Sequence, residues 1–306
     1  MITEDLNPRS TNIENLSIEE IFNIMNDEDS IVVKSVSGAK DSILRAIDDA
    51  IHTIGSGGSL IYIGAGTSGR LGILDASEIP PTFNVSSDTI RTIIAGGKRA
   101  ITNSIEGAED DKDAGKRAVS DIRVKDMLLG ISASGKTPYV IAALKEGKAH
   151  GAKCWLLTCN NVAYKFLDGI IKVLVGPEII AGSTRLKAGT ATKIVLNMIS
   201  TATMIKLGRV YKGYMIDVTP SNTKLINRSL KIIQNITGCS HEKAKVLLKK
   251  SGNNVKTALL MNLSGLTYKD ARLRLKKSGG SLKRALETAK SEKASVSYDG
   301  ISGHQS

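Results

Sequence analysis

Short apolar runs alternate with segments of helical periodicity over the first two thirds of the chain. Five runs rich in β-branched and other apolar residues predict strands, namely SLIYIGAG, TIRTIIAGG, DMLLGISASG, AKCWLLTCN and GIIKVLVGP. Between them, segments such as PYVIAALKEGKAHG place apolar residues every three or four positions and predict helices. This alternation is typical of a parallel sheet covered on both faces, so the predicted fold class is α/β.

Helical periodicity without strands marks both ends of the chain. The first 16 residues are polar and predict a loose segment, and two amphipathic helices follow them. Near the other end, the polar stretch TPSNTK around Pro220 predicts a linker, and compact amphipathic segments separated by Gly, Ser and Asn predict a small helical bundle. The predicted parts are a helical lead-in over 1–49, an α/β domain over 50–213, the bundle over 221–290 and a disordered tail over 291–306.

The positive charge of the chain is concentrated in the predicted bundle. The net charge is +12, yet residues 1–220 carry 25 basic and 25 acidic residues, whereas residues 221–306 carry 17 and 5. Such asymmetry can mark an anionic partner, including a nucleic acid. Here the cations are spread at helical spacing without interleaved aromatic runs for base stacking, which favours solvated helix faces over nucleic-acid binding.

Several function classes lack their sequence signals. No apolar run approaches the ~20 residues of a membrane helix, and MITEDLNPRS lacks the apolar stretch of a signal peptide, so we expect a soluble, cytoplasmic protein without a membrane partner. The cysteines Cys154, Cys159 and Cys239 form neither a CxxC pair nor a zinc spacing, and the four histidines are scattered. We therefore predict no metal site and no cofactor.

Two predicted strands end in glycine- and hydroxyl-rich turns. The first loop, residues 64–69, contains Gly64, Gly66, Thr67, Ser68 and Gly69, and the second loop, residues 132–137, contains Ser132, Ser134, Gly135 and Thr137. Glycines permit close backbone approach to an anion, and hydroxyls and helix N-termini supply donors, so the pair predicts a phosphate-ester site. Either loop alone is also compatible with a tight turn and a hydroxyl N-cap. Neither forms a GxxxxGK[ST] loop, and GAGTSG lacks the last glycine of a dinucleotide loop in register.

Two carboxylates near these loops are candidates for acid and base catalysis. Glu78 follows the first loop by about one helix, and Glu109 lies in the downstream segment SIEGAEDDKDAG with Glu106. A pair of carboxylates can divide the work if one is protonated and the other ionised. The alternative for Glu109 is the acidic first turn of a helix.

Four motifs together resemble the bacterial N-acetylmuramic acid 6-phosphate etherases of the sugar isomerase (SIS) superfamily. They are YIGAGTSGRLGILDASEIPPTF, IEGAEDD, ISASGKTPYV and GSTRLKAGTATKIVLNMIST, and the likeness runs from IMNDED near residue 25 to about residue 290. The resemblance implies a homodimeric SIS fold, a three-layer sandwich with a five-stranded parallel sheet, and a small ubiquitin-associated-like C-terminal domain. It also implies an amino-sugar phosphate substrate whose lactyl ether is cleaved.

The resemblance assigns roles residue by residue. Glu78 in DASEIPP takes the place of the family's proton donor, and Glu109 in EGAEDD that of its second catalytic glutamate. Hydroxyl residues that match the superfamily's sugar-phosphate contacts are Ser68, Ser132, Ser134 and Thr137. Lys136 stands where the family pattern has Arg, and Leu186 where it has Met, and both changes are conservative.

The implied reaction fits these residues. In the open-chain sugar the C2 proton is α to the C1 aldehyde and the lactyl oxygen is β, so elimination needs a base at C2 and an acid at the departing oxygen. We assign Glu109 as the base and Glu78 as the acid. Candidates for stabilising the developing enolate are Arg185, Lys187 and Lys193, each of which could instead pair with a carboxylate.

Three other functions remain open at this point. A sugar-phosphate sensor resembling the glucokinase regulatory protein would bind without turnover, and an aldose–ketose isomerase would use a C2 base without releasing lactate. A sugar-phosphate-responsive DNA binder would show a steep salt dependence of its DNA affinity.

Overall fold

The computed structural model describes residues 1–218, 220 and 222–299, with side chains described as far as residue 291. Five parallel strands form a sheet in the order β2-β1-β3-β4-β5. The strands are β1 (Leu60–Gly64), β2 (Ile90–Ile94), β3 (Met127–Ile131), β4 (Lys153–Thr158) and β5 (Gly169–Lys172). Each arises from one of the five apolar runs, so the predicted five-stranded parallel sheet is confirmed.

Helices cover both faces of this sheet, because every residue of β1 and β3 is buried. The six helices of this part of the chain are α1 (Ile18–Gly38), α2 (Lys40–Gly55), α3 (Gly66–Phe83), α4 (Lys112–Arg117), α5 (Pro138–Ala149) and α6 (Lys187–Lys206). On one face, α5 lies so close to β3 that a Cβ on Gly130 would come within 2.6 Å of Leu144. On the other, Trp155 of β4 donates its indole N–H to Asp49 of α2 at 3.0 Å.

The first residues of the chain are packed rather than loose. Three short 3-10 helices occupy Ile2–Glu4, Pro8–Ser10 and Ile13–Asn15, and Thr3 is fully buried. The Thr3 hydroxyl accepts from the side-chain amide of Asn160 at 2.9 Å, and the side-chain amide of Asn7 donates to Glu28 of α1 at 2.9 Å. The expectation of a loose segment is wrong because these polar side chains find buried partners far along the chain, which satisfy their hydrogen bonds.

The chain divides into two compact units, the first comprising residues 1–80 and 85–203, the second residues 81–84 and the chain from Met204 onward. The predicted boundary at 49/50 falls inside α2, and the division near residue 203 falls inside α6. No described helix is long and apolar enough to cross a membrane.

The second unit is a hairpin followed by five helices. These are β6 (Val210–Tyr211), β7 (Tyr214–Met215), α7 (Thr223–Thr237), α8 (His241–Lys250), α9 (Val255–Ser264), α10 (Tyr268–Lys277) and α11 (Leu282–Asp299). Local sequence starts four of the helices, because the side chains of Asn222, Ser240, Asn254 and Thr267 each accept a first-turn backbone N–H. Apolar residues such as Ile233, Leu259 and Leu282 form the core.

The C-terminal end differs from the prediction over part of its length. Helix α11 continues to Asp299, although disorder is predicted from residue 291. Extending an existing helix needs no new nucleus, so a segment of modest propensity can continue one that is already docked. The rest of the predicted tail, residues 300–306, lies outside the described residues.

Candidate active site

A cavity of about 440 Å³ opens at the carboxyl ends of β1 and β2 within the first unit. It is lined by Ala65, Gly66, Thr67, Arg70, Ala95, Ala100, Asn103, Ser104, Ile105, Glu106, Gly107, Ala108 and Glu109. The carboxyl ends of parallel strands are where loops and helix N-termini converge on ligands in open α/β sheets. The volume lies in the range of small-molecule sites, roughly 300–1,000 Å³.

The first loop forms one wall of this cavity. Gly64 and Gly69 are needed for packing, because a Cβ on Gly64 would lie 2.6 Å from the backbone nitrogen of Gly69. Gly66 has a φ of +53° and open space beside it, and it begins α3. The hydroxyls of Thr67 and Ser68 make no hydrogen bond within the described part of the chain. This wall therefore presents a helix N-terminus and the unbonded hydroxyl of Thr67, as a phosphate or sugar site requires, whereas Ser68 is not among the lining residues.

The predicted base also lines this cavity. Glu109 and Glu106 are exposed and line the cavity. The helix that follows, α4, is capped by the Asp111 carboxylate, which accepts the Ala114 N–H at 2.8 Å. Glu109 thus lies ahead of that helix rather than in its first turn, and its backbone carbonyl is held by the Tyr139 N–H at 2.9 Å.

The predicted acid is not among the cavity residues. Glu78 is exposed on α3, twelve residues after Gly66, which corresponds to about 18 Å along the helix axis. Leu74, one turn earlier on the same face, is 47 % exposed. The described chain therefore places Glu109 but not Glu78 in the cavity.

The second loop holds its own polar groups and does not line this cavity. Ser132 is buried, and its hydroxyl pairs with the Thr137 hydroxyl at 2.8 Å and accepts the Gly135 N–H at 3.1 Å. The Ser134 hydroxyl lies 3.2 Å from that of Ser132 and accepts the Lys136 N–H at 3.1 Å. Four of the predicted binding residues thus form one network at the N-terminus of α5.

The three predicted enolate stabilisers have different surroundings. Lys187 is buried at the start of α6, and its ammonium donates to Glu28 of α1 in an ion pair. Burial alone would raise the pKa of Glu28, but hydrogen bonds from Lys187 and Asn7 hold that pKa below its ordinary value. Arg185 is exposed, and Lys193 donates to Asn197 on its own helix.

The N-terminus of α6 is already occupied by a carboxylate of the chain. Glu178 is fully buried and accepts the backbone N–H groups of Lys187 and Ala188 at 3.0 and 2.9 Å. Burial raises the pKa of Glu178, although these two hydrogen bonds oppose the rise. Two first-turn N–H groups of this helix are therefore already bonded to a carboxylate of the chain and are not available to a phosphate.

Two polar residues near the site escaped the sequence reasoning. Arg70 lines the cavity and donates to three backbone carbonyls of the neighbouring wall. Its signal was its place directly after Gly69 in the first loop motif. Asp75 is buried on α3 and accepts from the Tyr62 and Ser200 hydroxyls at 3.0 and 3.2 Å. Burial raises the pKa of Asp75, while those hydrogen bonds and the charge of Lys193 oppose the rise.

Comparison with known proteins places the chain among relatives of nearly equal extent. It is 48 % identical to N-acetylmuramic acid 6-phosphate etherase 1 of Bacillus licheniformis over 264 residues, covering 85 % of this chain and 87 % of that protein. It is 46 % identical to the N-acetylmuramic acid 6-phosphate etherase of Rhizobium rhizogenes over 264 residues, covering 85 % and 86 %.

Two family profiles match parts of the chain. The N-terminal SIS domain of glucokinase regulatory protein matches residues 42–148, and the C-terminal lid domain of that protein matches residues 212–256. Among solved structures, a putative phosphosugar isomerase involved in capsule formation from Bacteroides fragilis aligns with a TM-score of 0.48 at 18 % identity, covering 62 % of this chain and 90 % of that one.

The extent and identity of the curated relatives confirm the family that the four motifs indicated. Identity of 46–48 % continues over 85 % of the chain, whereas the two regulatory-protein profiles match separate segments. The chain belongs to the N-acetylmuramic acid 6-phosphate etherase family.

Proposed function

We propose that the protein cleaves the D-lactyl ether of N-acetylmuramic acid 6-phosphate, giving N-acetylglucosamine 6-phosphate and D-lactate in amino-sugar catabolism and cell-wall recycling. The observation that carries this proposal is the position of Glu109. In a chain of this family, that carboxylate lines a cavity of about 440 Å³ together with Gly66 and Thr67 at the start of α3.

The reaction is an elimination followed by a hydration. Glu109 removes the C2 proton of the open-chain sugar, the C3–O bond breaks, and Glu78 protonates the departing lactate oxygen. Water then adds across the C2–C3 double bond, with a proton returned to C2 and hydroxide to C3. One water is consumed overall. Arg185 and Lys193 stay candidates for stabilising the enolate, whereas the ion pair with Glu28 favours a structural role for Lys187.

We propose that the phosphate is held by the two loops. The first loop offers Gly66, Thr67 and Ser68 at the start of α3, where the helix dipole favours an anion. The hydroxyl network of the second loop, built on Ser132, would keep Ser134 and Thr137 in fixed positions for a ligand. Fixed donors lose little conformational entropy on binding.

We propose a homodimer in which a second copy supplies Glu78. Ile18 and Phe22 of α1 are 87 % and 65 % exposed, and Leu74 is exposed one turn from Glu78. Apolar residues grouped on helix faces are typical of surfaces that another chain covers. The substrate of the proposed reaction is a charged phosphate ester that does not cross membranes unaided, which supports a cytoplasmic location.

Mixing two inactive variants tests the shared site. Glu78→Gln and Glu109→Gln protomers, unfolded together and refolded, would form mixed dimers with one intact site and recover about a quarter of the wild-type rate. No recovery in samples shown by light scattering to be dimeric would contradict the shared site. A monomeric wild type would contradict the homodimer itself.

The reaction is tested by incubating the protein with N-acetylmuramic acid 6-phosphate in deuterated water. NMR should detect lactate and deuterium at C2 of the sugar product. Tight binding without lactate would favour the second candidate, a regulator resembling glucokinase regulatory protein, which the matches over residues 42–148 and 212–256 support. Deuterium at C2 without lactate would favour an isomerase.

A further inference from the structure

The cavity contains one basic side chain among carboxylates. Of its lining residues, Glu106 and Glu109 are acidic and Arg70 is basic. Arg70 forms no ion pair with any residue that the structure describes, although arginine in a partly buried site is normally paired with a carboxylate or phosphate. An unpaired guanidinium beside two carboxylates favours an anionic group of the ligand at this point of the cavity.

The backbone already fixes the guanidinium in position. Nε of Arg70 donates to the carbonyls of Ala100 and Ile101 at 3.0 Å each, and Nη2 donates to the carbonyl of Asn103 at 2.8 Å. Nη1 makes no hydrogen bond to a described residue. Because one edge of the planar fork is engaged, the other edge, formed by Nη1 and Nη2, retains N–H donors spaced for a carboxylate.

The proposed substrate has two anions, and they differ in their distance from the reacting atoms. The phosphate is on C6, whereas the carboxylate of the lactyl group is two bonds from the ether oxygen that leaves C3. Arg70 lines the same cavity as Glu109. We assign to Glu109 the removal of the proton from C2, the carbon next to the one that carries the lactyl ether. We propose that Arg70 binds the lactyl carboxylate and is a specificity-determining residue of this site, an inference that rests on the proposed function.

This contact would serve two purposes. It offsets the repulsion that a substrate carboxylate would meet from Glu106 and Glu109 in the same cavity. It also ties substrate binding to the wall that carries Glu109, because the same guanidinium holds the carbonyls at residues 100–103. A ligand without the lactyl carboxylate would leave the free edge of Arg70 unsatisfied.

A neutral analogue of the substrate tests the contact directly. The wild type is compared on the natural ether and on the same sugar phosphate whose lactyl carboxylate is replaced by a carboxamide. A charged hydrogen bond of this kind predicts that kcat/KM favours the acid by about 10- to 100-fold. In Arg70→Gln that preference should fall to near unity, and in Arg70→Lys it should be intermediate, because a point charge lacks the fork.

The ratio of kcat/KM for the acid to that for the amide shows whether Arg70 binds the carboxylate or only holds residues 100–103 in place. Loosening of residues 100–103 in Arg70→Gln would slow both substrates alike, so the acid-to-amide ratio would not change. Arg99→Gln is the matched control, since Arg99 is an exposed arginine on the neighbouring 3-10 helix (Gly97–Ile101) and does not line the cavity. It should keep the wild-type ratio.

Two outcomes would overturn the inference. One is a wild-type ratio near unity, and the other is a wild-type ratio that persists in folded Arg70→Gln. If the wild type releases neither lactate from the natural ether nor lactamide from the amide, the proposed reaction is wrong. Calorimetric titration of both ethers into wild type and Arg70→Gln then tests the role of Arg70. The ratio of the dissociation constants of the amide and the acid replaces the ratio of kcat/KM.

Discussion

The two glycine-containing loops at the carboxyl ends of β1 and β3 have similar compositions and different surroundings. In the first loop, the hydroxyls of Thr67 and Ser68 have no partner in the described chain, and Gly66 is beside open space. In the second, the Ser132 hydroxyl pairs with Thr137 and accepts the N–H of Gly135. One loop is therefore an open wall of a cavity, and the other is an internally bonded support.

This difference shows that the residues of a glycine- and hydroxyl-rich loop determine which hydrogen-bond donors are present. They do not determine whether those donors are free to bind a ligand. A helix N-terminus binds an anion only if its N–H groups have no better acceptor. In the second loop the serine side chains accept such N–H groups, so that loop offers a ligand its hydroxyls rather than its backbone donors, and at α6 the acceptor is the Glu178 carboxylate. Among the described residues, no side chain accepts the first N–H groups of α3, and the cavity lies at that helix start.

The largest effect should come from Glu109, which lines the same cavity as Gly66 and Thr67 of the first loop. Glu109→Gln removes the proposed base and should lower the kcat for lactate release by about 10²- to 10⁴-fold. Because the side chain is exposed, the free energy of unfolding should change by less than about 0.5 kcal/mol. Glu106→Gln, on the same wall, is the matched control, and an equal loss of kcat there would contradict the assignment of the base to Glu109.

Substituting alanine for Gly66 and for Gly135, which both have a positive φ, tests how much space lies beside each loop. Gly135 has a φ of +71°, and an added Cβ would lie 2.8 Å from Thr158 Oγ1 and 2.9 Å from Val162. Strain and overpacking together should cost about 2–5 kcal/mol in urea unfolding. Gly66→Ala meets the strain alone, about 1–2 kcal/mol. Equal losses in the two variants would show that the second loop is no more crowded than the first.

Removing one hydroxyl from each loop tests the internal bonding. Ser132→Ala removes the hydroxyl that pairs with Thr137, while the Gly135 N–H keeps its bond to the backbone carbonyl of residue 132 at 2.9 Å, so the free energy of unfolding should fall by about 0.5–1.5 kcal/mol. Ser68→Ala should change it by less than about 0.5 kcal/mol and instead raise the KM for the sugar phosphate. A stability loss in Ser68→Ala as large as in Ser132→Ala would remove the contrast between the loops.

The smallest effect concerns α3 behind the first loop. Burial raises the pKa of Asp75, so the folded state binds this proton more tightly than the unfolded state. Its stabilising contribution is complete below the ordinary aspartate pKa and is lost as pH rises through the raised value. Asparagine does not ionise, so Asp75→Asn does not lose stability in this way as pH rises, and its side chain can still form hydrogen bonds with Tyr62 and Ser200. In urea unfolding, the variant should therefore gain stability relative to wild type as pH rises above the ordinary aspartate pKa, and a relative decrease would contradict the upward shift of the Asp75 pKa.

Local sequence determined the sheet, the two loops and the position of Glu109 near a strand end. Burial on both faces requires continuous apolar runs such as those of β1 and β3, and parallel strands bring their carboxyl ends to one edge. Helix starts in the second unit are equally local, because caps such as Asn222 and Ser240 act within one turn. These features depend on neighbours in the chain, so a pattern of residues is enough to predict them.

Only the tertiary structure decided which polar groups are free. Lys187 is paired with Glu28, 159 positions away, and no local pattern carries that contact. Arg70 donates hydrogen bonds to the carbonyls of residues 100, 101 and 103. Glu78 lies on α3, twelve residues beyond Gly66, and does not line the cavity that Glu109 lines. Hydrogen bonding and burial depend on what the fold brings alongside, so the availability of a side chain is a property of the packed molecule and not of the sequence around it.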